Sequence, residues 1–338
     1  NAGGSSETFA LYASDEWRLN EQWRIDLGAR WEQISFTGYN ERSATRNLGV
    51  SPTQADDSFL TGTGVFDLLD REFDDWAWTV GVNWQFRPDM GIFARYTDAF
   101  RLPSLGDFIT NPTRVDARVQ GIKLGEVGYK MSTETFDLYA TAFYTAFDAF
   151  GFGETIFDPV TGSFTSRTAF TDTETFGMEL DGEWRPTDWF DMRFNATLQR
   201  PEFQDFIFTE LVSGALVTRD FSGNRLLRVP EESYRLIPAV NVLNDTLRFE
   251  LDVQHYGDRF TDAANSTTLP AYTILNANVR YDLNERIALY LNGTNLTNEI
   301  GLTEGNPRAG QFQSGDAGAR FYTGRPELGR AVRASIVY

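Results

Sequence analysis

His255 is the only histidine in a chain of 338 residues, so any Ser-His-Asp chemistry would have to use it. Its neighbours Asp252 and Tyr256 form no nucleophile motif, and a loop or lumen histidine at the end of its strand is the simpler reading. Histidine-rich zinc sites are excluded by that count. The absence of cysteine removes thiolate metal sites, disulfides and cysteine nucleophiles together. The acidic clusters Asp56-Asp57 and Asp67 to Asp75 lack the spacing of a calcium loop and read as solvated acidic loop. No catalytic residue, metal or cofactor is expected, and the chain does not read as an enzyme. A different chemistry is offered by arginines and aromatic residues in the long connections: Tyr39, Arg101, Arg114, Phe150, Phe152, Arg167, Phe206, Arg225, Arg228, Tyr256, Arg259 and Arg308. Guanidinium and ring groups near a mouth suit an anionic, ring-bearing ligand, through charge-assisted hydrogen bonds and cation–π contact. The competing reading is that large loops need aromatic residues to fold on themselves.

The elements that must position these residues are runs of alternating type. In Thr173 to Arg200, Phe176, Met178, Leu180 and Trp184 fall on one face, opposite Glu179, Asp181 and Glu183. After the turn Arg185-Pro186-Thr187-Asp188, Met192, Phe194, Ala196 and Leu198 oppose Arg193, Asn195, Thr197 and Gln199. A period of two is the signature of strands. The same pattern predicts hairpins over Phe9 to Leu19 with Trp23 to Thr37, Trp76 to Phe86 with Gly91 to Ala99, and Ile122 to Lys130 with Glu134 to Phe147. It recurs over Tyr234 to Leu243 with Thr246 to Tyr256 and Tyr272 to Asp282 with Arg286 to Asn295, and Leu328 to Tyr338 is a last strand. Asp158 to Gly162 reads as a tight turn inside a long connection, with extended flanks at Phe152 to Phe157 and Ser163 to Phe170.

Roughly thirteen strands therefore alternate short turns at one end with long connections at the other, the habit of transmembrane barrels rather than soluble sandwiches. Trp17 and Trp23, Trp84 and Phe86, and Trp184 and Trp189 flank short turns, where an interfacial aromatic girdle would sit. Phe194 and Leu251 are expected to face outward, Glu179 and Arg193 a lumen. Aromatic residues make up 14% of the chain and Gly 29 residues, which favours strands and turns. The net charge of -18 argues against nucleic acid as a partner, since phosphate binding needs basic patches. The mean hydropathy of -0.36 is compatible with a β-barrel, whose alternating strands average out.

Four stretches resemble the C-terminal barrel portion of TonB-dependent outer-membrane receptors. They are Tyr96 to Ser104 (YTDAFRLPS), Gly177 to Pro186 (GMELDGEWRP), Leu291 to Asn298 (LNGTNLTN) and Gly324 to Tyr338 (GRPELGRAVRASIVY). The resemblance implies an all-β, antiparallel up-and-down barrel in the bacterial outer membrane, of which residues 1–338 would be one domain supplying roughly 13 of about 22 strands. It also implies uptake of a scarce nutrient, most often a ferric siderophore, with cobalamin or an oligosaccharide as alternatives. The partners would be membrane lipid, an N-terminal plug with upstream strands, and the TonB complex acting through that plug. A barrel enzyme and a soluble β adhesin or carbohydrate-binding module are the competing classes. By strand parity Asn1 to Ser6 are expected to be the tail of an extracellular loop, with the plug and roughly nine strands upstream.

Overall fold

The computed structural model describes residues 1–47, 58–109, 118–158, 163–212, 215–306 and 323–338. The strands, in chain order, are β1 (Ala2–Arg18), β2 (Trp23–Asn47), β3 (Ser58–Arg87), β4 (Met90–Arg101), β5 (Gln120–Ser132), β6 (Phe136–Asp158), β7 (Ser163–Thr187) and β8 (Phe190–Asp205). They continue with β9 (Ile207–Val212), β10 (Ala215–Asp220), β11 (Glu232–Val242), β12 (Leu247–Tyr256), β13 (Arg259–Phe260) and β14 (Thr268–Leu269). The last are β15 (Tyr272–Asn284), β16 (Ile287–Thr294), β17 (Leu302–Asn306), β18 (Thr323–Pro326) and β19 (Ala331–Val337). One short helix, α1 (Leu105–Ile109), follows β4. Thirteen strands form a single antiparallel sheet in sequence order, with β8 passing to β11, β12 to β15 and β16 to β19. The omitted strands pair among themselves, β9 with β10, β13 with β14 and β17 with β18, inside three of the long connections.

The expected alternation of turn lengths holds, because local chemistry closes the short end. Between β11 and β12, Leu243, Asn244 and Asp245 all adopt positive φ, and Thr246 Oγ1 donates to the Leu243 carbonyl at 2.7 Å. Asn20 and Asn284 cap two other turns by accepting backbone N–H groups two and three residues on.

Register separates the two faces across the whole sheet. Phe194 lies opposite Gly182 and Leu236, and Leu251 opposite Ala277, so the apolar positions share one face. Arg193 lies opposite Glu183, and Glu250 opposite Asn278, on the other. The polar face is the inner one. Helix α1 folds back over that face of β1 and β2, where Phe108 packs between Phe36 and Phe73 at ring distances of 5.4 and 5.8 Å. Leu69 is buried with them, and Ile34 and Leu105 complete the seat.

The outward face carries two cross-strand tryptophan pairs. Trp23 stacks on Trp84 at 5.3 Å beside the short turns, and Trp31 meets Trp76 at 6.5 Å further along the same two strands. Eight residues of strand separate the pairs, about 27 Å along the chain and about 20 Å once tilted by about 40°, close to the apolar band of a membrane barrel. Among the described residues no helix is long and apolar enough to cross a membrane.

On the inner wall two phenylalanine rings lie flat because the residue opposite has no side chain. A Cβ at Gly128 would stand 2.1 Å from the Phe93 ring, and one at Gly177 would stand 2.4 Å from Phe143.

The strands outrun their expected limits at the long-connection end. Ala2 to Ser6, expected in a loop, form the start of β1 and pair with Asn40 to Phe36. The acidic run Asp67 to Asp75 lies in β3 and not in a loop, and the alternation there is masked by carboxylates on both faces. Asp56 and Asp57 lie outside the described residues. The flanks around residues 159–162 do form a hairpin, continuous with β6 and β7, with Asp158 paired to Ser163.

Candidate functional site

The inner wall of β8, β11, β12 and β15 is stitched by ion pairs, one between the neighbours β11 and β12 and two that reach over β11 from β8 to β12. Arg235 donates to both oxygens of the buried Asp252, at 2.8 and 2.9 Å, and Gln254 and Asn276 donate to the same carboxylate. Arg248 grips Asp191 at 2.6 and 2.8 Å, and Arg193 reaches Glu250 at 2.7 Å. Fork-shaped guanidinium on carboxylate is the strong geometry, and it fixes Arg235 and Arg248 against the wall. Nearer the short turns a hollow of about 480 Å³ opens, lined among others by Asp137, Tyr139, Asp181, Glu183 and Arg193. Such a surface is wetted or covered by polar protein.

At the other end the last three long connections interlock into one layer. Arg225 binds Glu231 at 3.0 Å and Asp258 at 3.1 Å, and its guanidinium lies 4.7 Å from the Phe260 ring. Asn265 fixes the backbone of the same arginine through N–H and C=O. Arg228, at φ 64, donates its backbone N–H to the Phe260 carbonyl and its Nη2 to the Gly305 carbonyl at 3.3 Å. Arg259, only 5% exposed, lies over the Tyr272 ring at 5.1 Å and donates Nη2 to the Leu302 carbonyl at 2.8 Å. Tyr256 packs on Tyr272 at 5.2 Å, and the Tyr272 hydroxyl donates to Glu327 at 3.1 Å. Burial, with Glu327 beside it, pushes the Tyr272 hydroxyl up to about 12.

The layer thus gathers four of the residues singled out in the sequence: Arg225, Arg228, Tyr256 and Arg259. The others are scattered. Tyr39 stands on the outward face, edge-on to Phe66 at 5.7 Å. Arg101 ends β4, exposed, with Nη1 at 3.5 Å from Gln120 Oε1. Phe206 is buried between Phe203 and Phe221 and belongs to the folding of its own connection. Phe150, Phe152 and Arg167 contribute backbone to the β6–β7 ladder, and their side chains lie outside the described residues, as do Arg114 and Arg308 altogether. His255, expected in a loop or lumen, is on the outward face, stacked on Tyr234 at 4.7 Å with Nδ1 at 2.9 Å from Thr273 Oγ1. No group of side chains suited to a metal ion occurs among the described residues.

Three residues that order the long connections, two of them in this layer, carried no usable signal in the sequence. Phe108 and Tyr272 look like any loop or strand aromatic. Asn295 sits in the Asn-Leu-Thr-Asn stretch, and the structure supplies the reason for it. Buried at φ 47, it accepts the Glu299 N–H and donates to the Glu299 and Leu328 carbonyls, closing the neck of the last long connection.

An antiparallel sheet with a greasy outer face, a polar inner face and all its long connections at one end is the wall of a transmembrane barrel. Residues 1–296 match the family model described as TonB dependent receptor-like, beta-barrel, and the chain belongs to that family of bacterial outer-membrane proteins. The same fold occurs in the ferric yersiniabactin uptake receptor FyuA from Yersinia pestis, with TM-score 0.71 and 17% identity, covering 99% of this chain and 45% of that one. It occurs in the siderophore receptor PiuA from Acinetobacter baumannii, with TM-score 0.74 and 19% identity, covering 99% and 43%. The copper transporter OprC matches with TM-score 0.74 and 11% identity, covering 98% and 49%. The chain therefore spans less than half the length of each. Membership of a receptor family, and not of an enzyme family, agrees with the absence of a catalytic constellation in the sequence.

Proposed function

We propose that this chain is the C-terminal part of the barrel of a receptor that imports a scarce nutrient, a ferric siderophore first, energised by the TonB complex. The remaining strands and the plug belong, on this reading, to the rest of the receptor, and the TonB complex acts through that plug. The observation that carries the reading is the interlocked layer of long connections, rich in guanidinium and aromatic groups, standing over a polar inner wall. Anionic chelates are held by such groups through charge-assisted hydrogen bonds and ring contacts. Two of the structurally similar proteins are siderophore receptors by name, which supports the same ligand class. A strain lacking the gene, grown with individual ferric siderophores as sole iron source, should lose growth on at least one and regain it with the gene restored. Unchanged growth on all of them, with lost uptake of cobalamin or of an oligosaccharide, would transfer the assignment to that nutrient.

A further inference from the structure

The sheet divides above the outer tryptophans. β3 pairs with β4 only as far as Trp78 with Asp98, whereas on its other side it stays paired with β2 from Trp84 up to Ser58. β4 follows β5 instead, as far as Arg101 with Gln120. Among the described residues, Ser58 to Ala77 of β3 therefore have no strand on the β4 side. Backbone groups of a strand point alternately to its two sides. Gln85 donates its N–H toward β2, to the Gln22 carbonyl, and the β2–β3 register is unbroken from Trp84 to Phe66. Odd-numbered residues of β3 thus serve the ladder with β2, and even-numbered ones face the open side. The side chains agree: the Trp76 N–H is taken by Asp75 Oδ1 at 2.7 Å, and the Asp70 carbonyl by Arg71 Nη1 at 3.1 Å. Leu68, Asp70, Glu72, Asp74 and Trp76, all exposed, form an open edge over about 26 Å of strand.

Such an edge is a template for a further strand, and its charge decides which strand. Asp70, Glu72 and Asp74 project from the outward face at every second residue, with Glu7 of β1 at the level of Glu72. Trp31 Nε1 donates to Asp74 at 3.3 Å and Gln33 donates to Glu72, both neutral groups. None of the three carboxylates has an arginine or lysine within ion-pair distance among the described residues. Two copies of this chain would set these carboxylates against each other, and like charges opposite one another are destabilising, so the edge rejects itself. A strand with lysine or arginine at every second position sets a cation beside each carboxylate, and places its small or apolar residues beside Arg71 and Phe73 on the inner face. We infer that the open edge of β3 receives an extended cationic segment of another protein, added as a further strand beyond the outer tryptophans. This partner is separate from any imported nutrient, and the inference does not rest on the import reading.

The test uses the full-length receptor, purified from outer membranes in non-ionic detergent, and a fluorescent ten-residue peptide alternating lysine and threonine. Fluorescence anisotropy at low ionic strength should show saturable binding, and hydrogen exchange should slow at the amides of Asp70, Glu72 and Asp74. Two further peptides of the same charge separate strand addition from charge attraction. Lysines opposite Asp70, Glu72 and Asp74 turn their own backbone N–H groups to β3, so methylating the backbone nitrogen of every lysine should weaken binding about tenfold or more. Methylating the threonine nitrogens instead touches only the far edge and should leave binding within about twofold. Equal binding by the two methylated peptides, or no saturable binding by the parent peptide, overturns the inference. In the receptor, Glu72→Pro deletes an edge N–H while sparing the ladder with β2, and should weaken the parent peptide more than Glu72→Gln, which removes the charge alone. Equal loss in the two variants would also overturn it, and the methylated peptides, read on the wild type, do not depend on how either variant folds.

Discussion

Replacing Phe108 with alanine should detach α1 from the barrel wall without disturbing the barrel. A helix of five residues is not stable in water by itself, so α1 exists because Phe108 and Leu105 are seated against Phe36, Leu69 and Phe73. Phe108 is 2% exposed. Burying a phenylalanine contributes about 2 kcal/mol, and each of its two ring contacts adds about 0.5 kcal/mol or more. The loss of about 3 kcal/mol corresponds to about a hundredfold shift of the docking equilibrium. The seat is made by side chains on the inner face of the sheet, and their backbone ladder does not depend on the helix. Hydrogen exchange followed by mass spectrometry should therefore show the amides of Leu105–Ile109 exchanging about a hundredfold faster in Phe108→Ala, with β1, β2 and β3 protected as before. Unchanged exchange in α1 would refute the packing argument. Loss of protection spreading through β2 and β3 would show instead that the seat holds the sheet together.

Leu251→Arg places a charge on the outward face of β12 and should cost about 2–4 kcal/mol in denaturant unfolding from lipid or detergent, the range for a barrel midplane, whereas a soluble sheet face would tolerate it. Gly177→Val drives a side chain into the Phe143 ring and the Leu198 carbonyl and should lower stability by about 1–3 kcal/mol in the same assay, with Phe143→Ala recovering part of it; no recovery would mean that the clash lies with the backbone. The Tyr272 hydroxyl, raised from 10.0 to about 12, favours the folded layer while it is protonated, so this contribution is complete below pH 10 and is lost as pH rises through about 12. Subtracting the phenolate absorbance of Tyr272→Phe from that of the wild type should leave a transition near pH 12, and one near pH 10 would contradict the burial.

Strands were legible wherever one face is greasy. Phe176 to Trp184 and Met192 to Leu198 alternate cleanly because one side meets apolar surroundings and the other a wet lumen. Beyond Trp31 and Trp76 the outer face meets water and the inner face is partly wet and partly covered by α1, so Gly38 to Asn47 and Ser58 to Asp75 lose the alternation while keeping the ladder, and sequence reasoning took them for loop. The seat of α1 was hidden for the converse reason. Phe36, Leu69 and Phe73 are apolar residues on the polar side, and only the folded connection shows what they face. Among the arginines, residue type could not reveal which would meet a carboxylate and which a carbonyl. That choice, which separates Arg225 from Arg228 and Arg259, is made by long-range register. Tyr39 was expected in a loop and His255 in a loop or the lumen, but the ladder runs on through both, and its alternation turns both outward.

The length of β2 and β3 fixes how far from the bilayer a solute first meets this protein. From Trp31 to Asn47 the ladder continues for sixteen residues past the outer tryptophan pair, about 50 Å along the strand, and stays paired to β3 apart from one bulge near Glu41. An ordinary surface loop reaches outward at the expense of definition, since its tip wanders. Here the projection is a chimney wall with the stiffness of a sheet, so charges such as Asp67, held ionised by Arg42, keep a set height and bearing above the lipid. On the proposed import reading, size and charge are sorted well before the inner wall is reached, at a rim whose position the membrane-spanning strands themselves dictate.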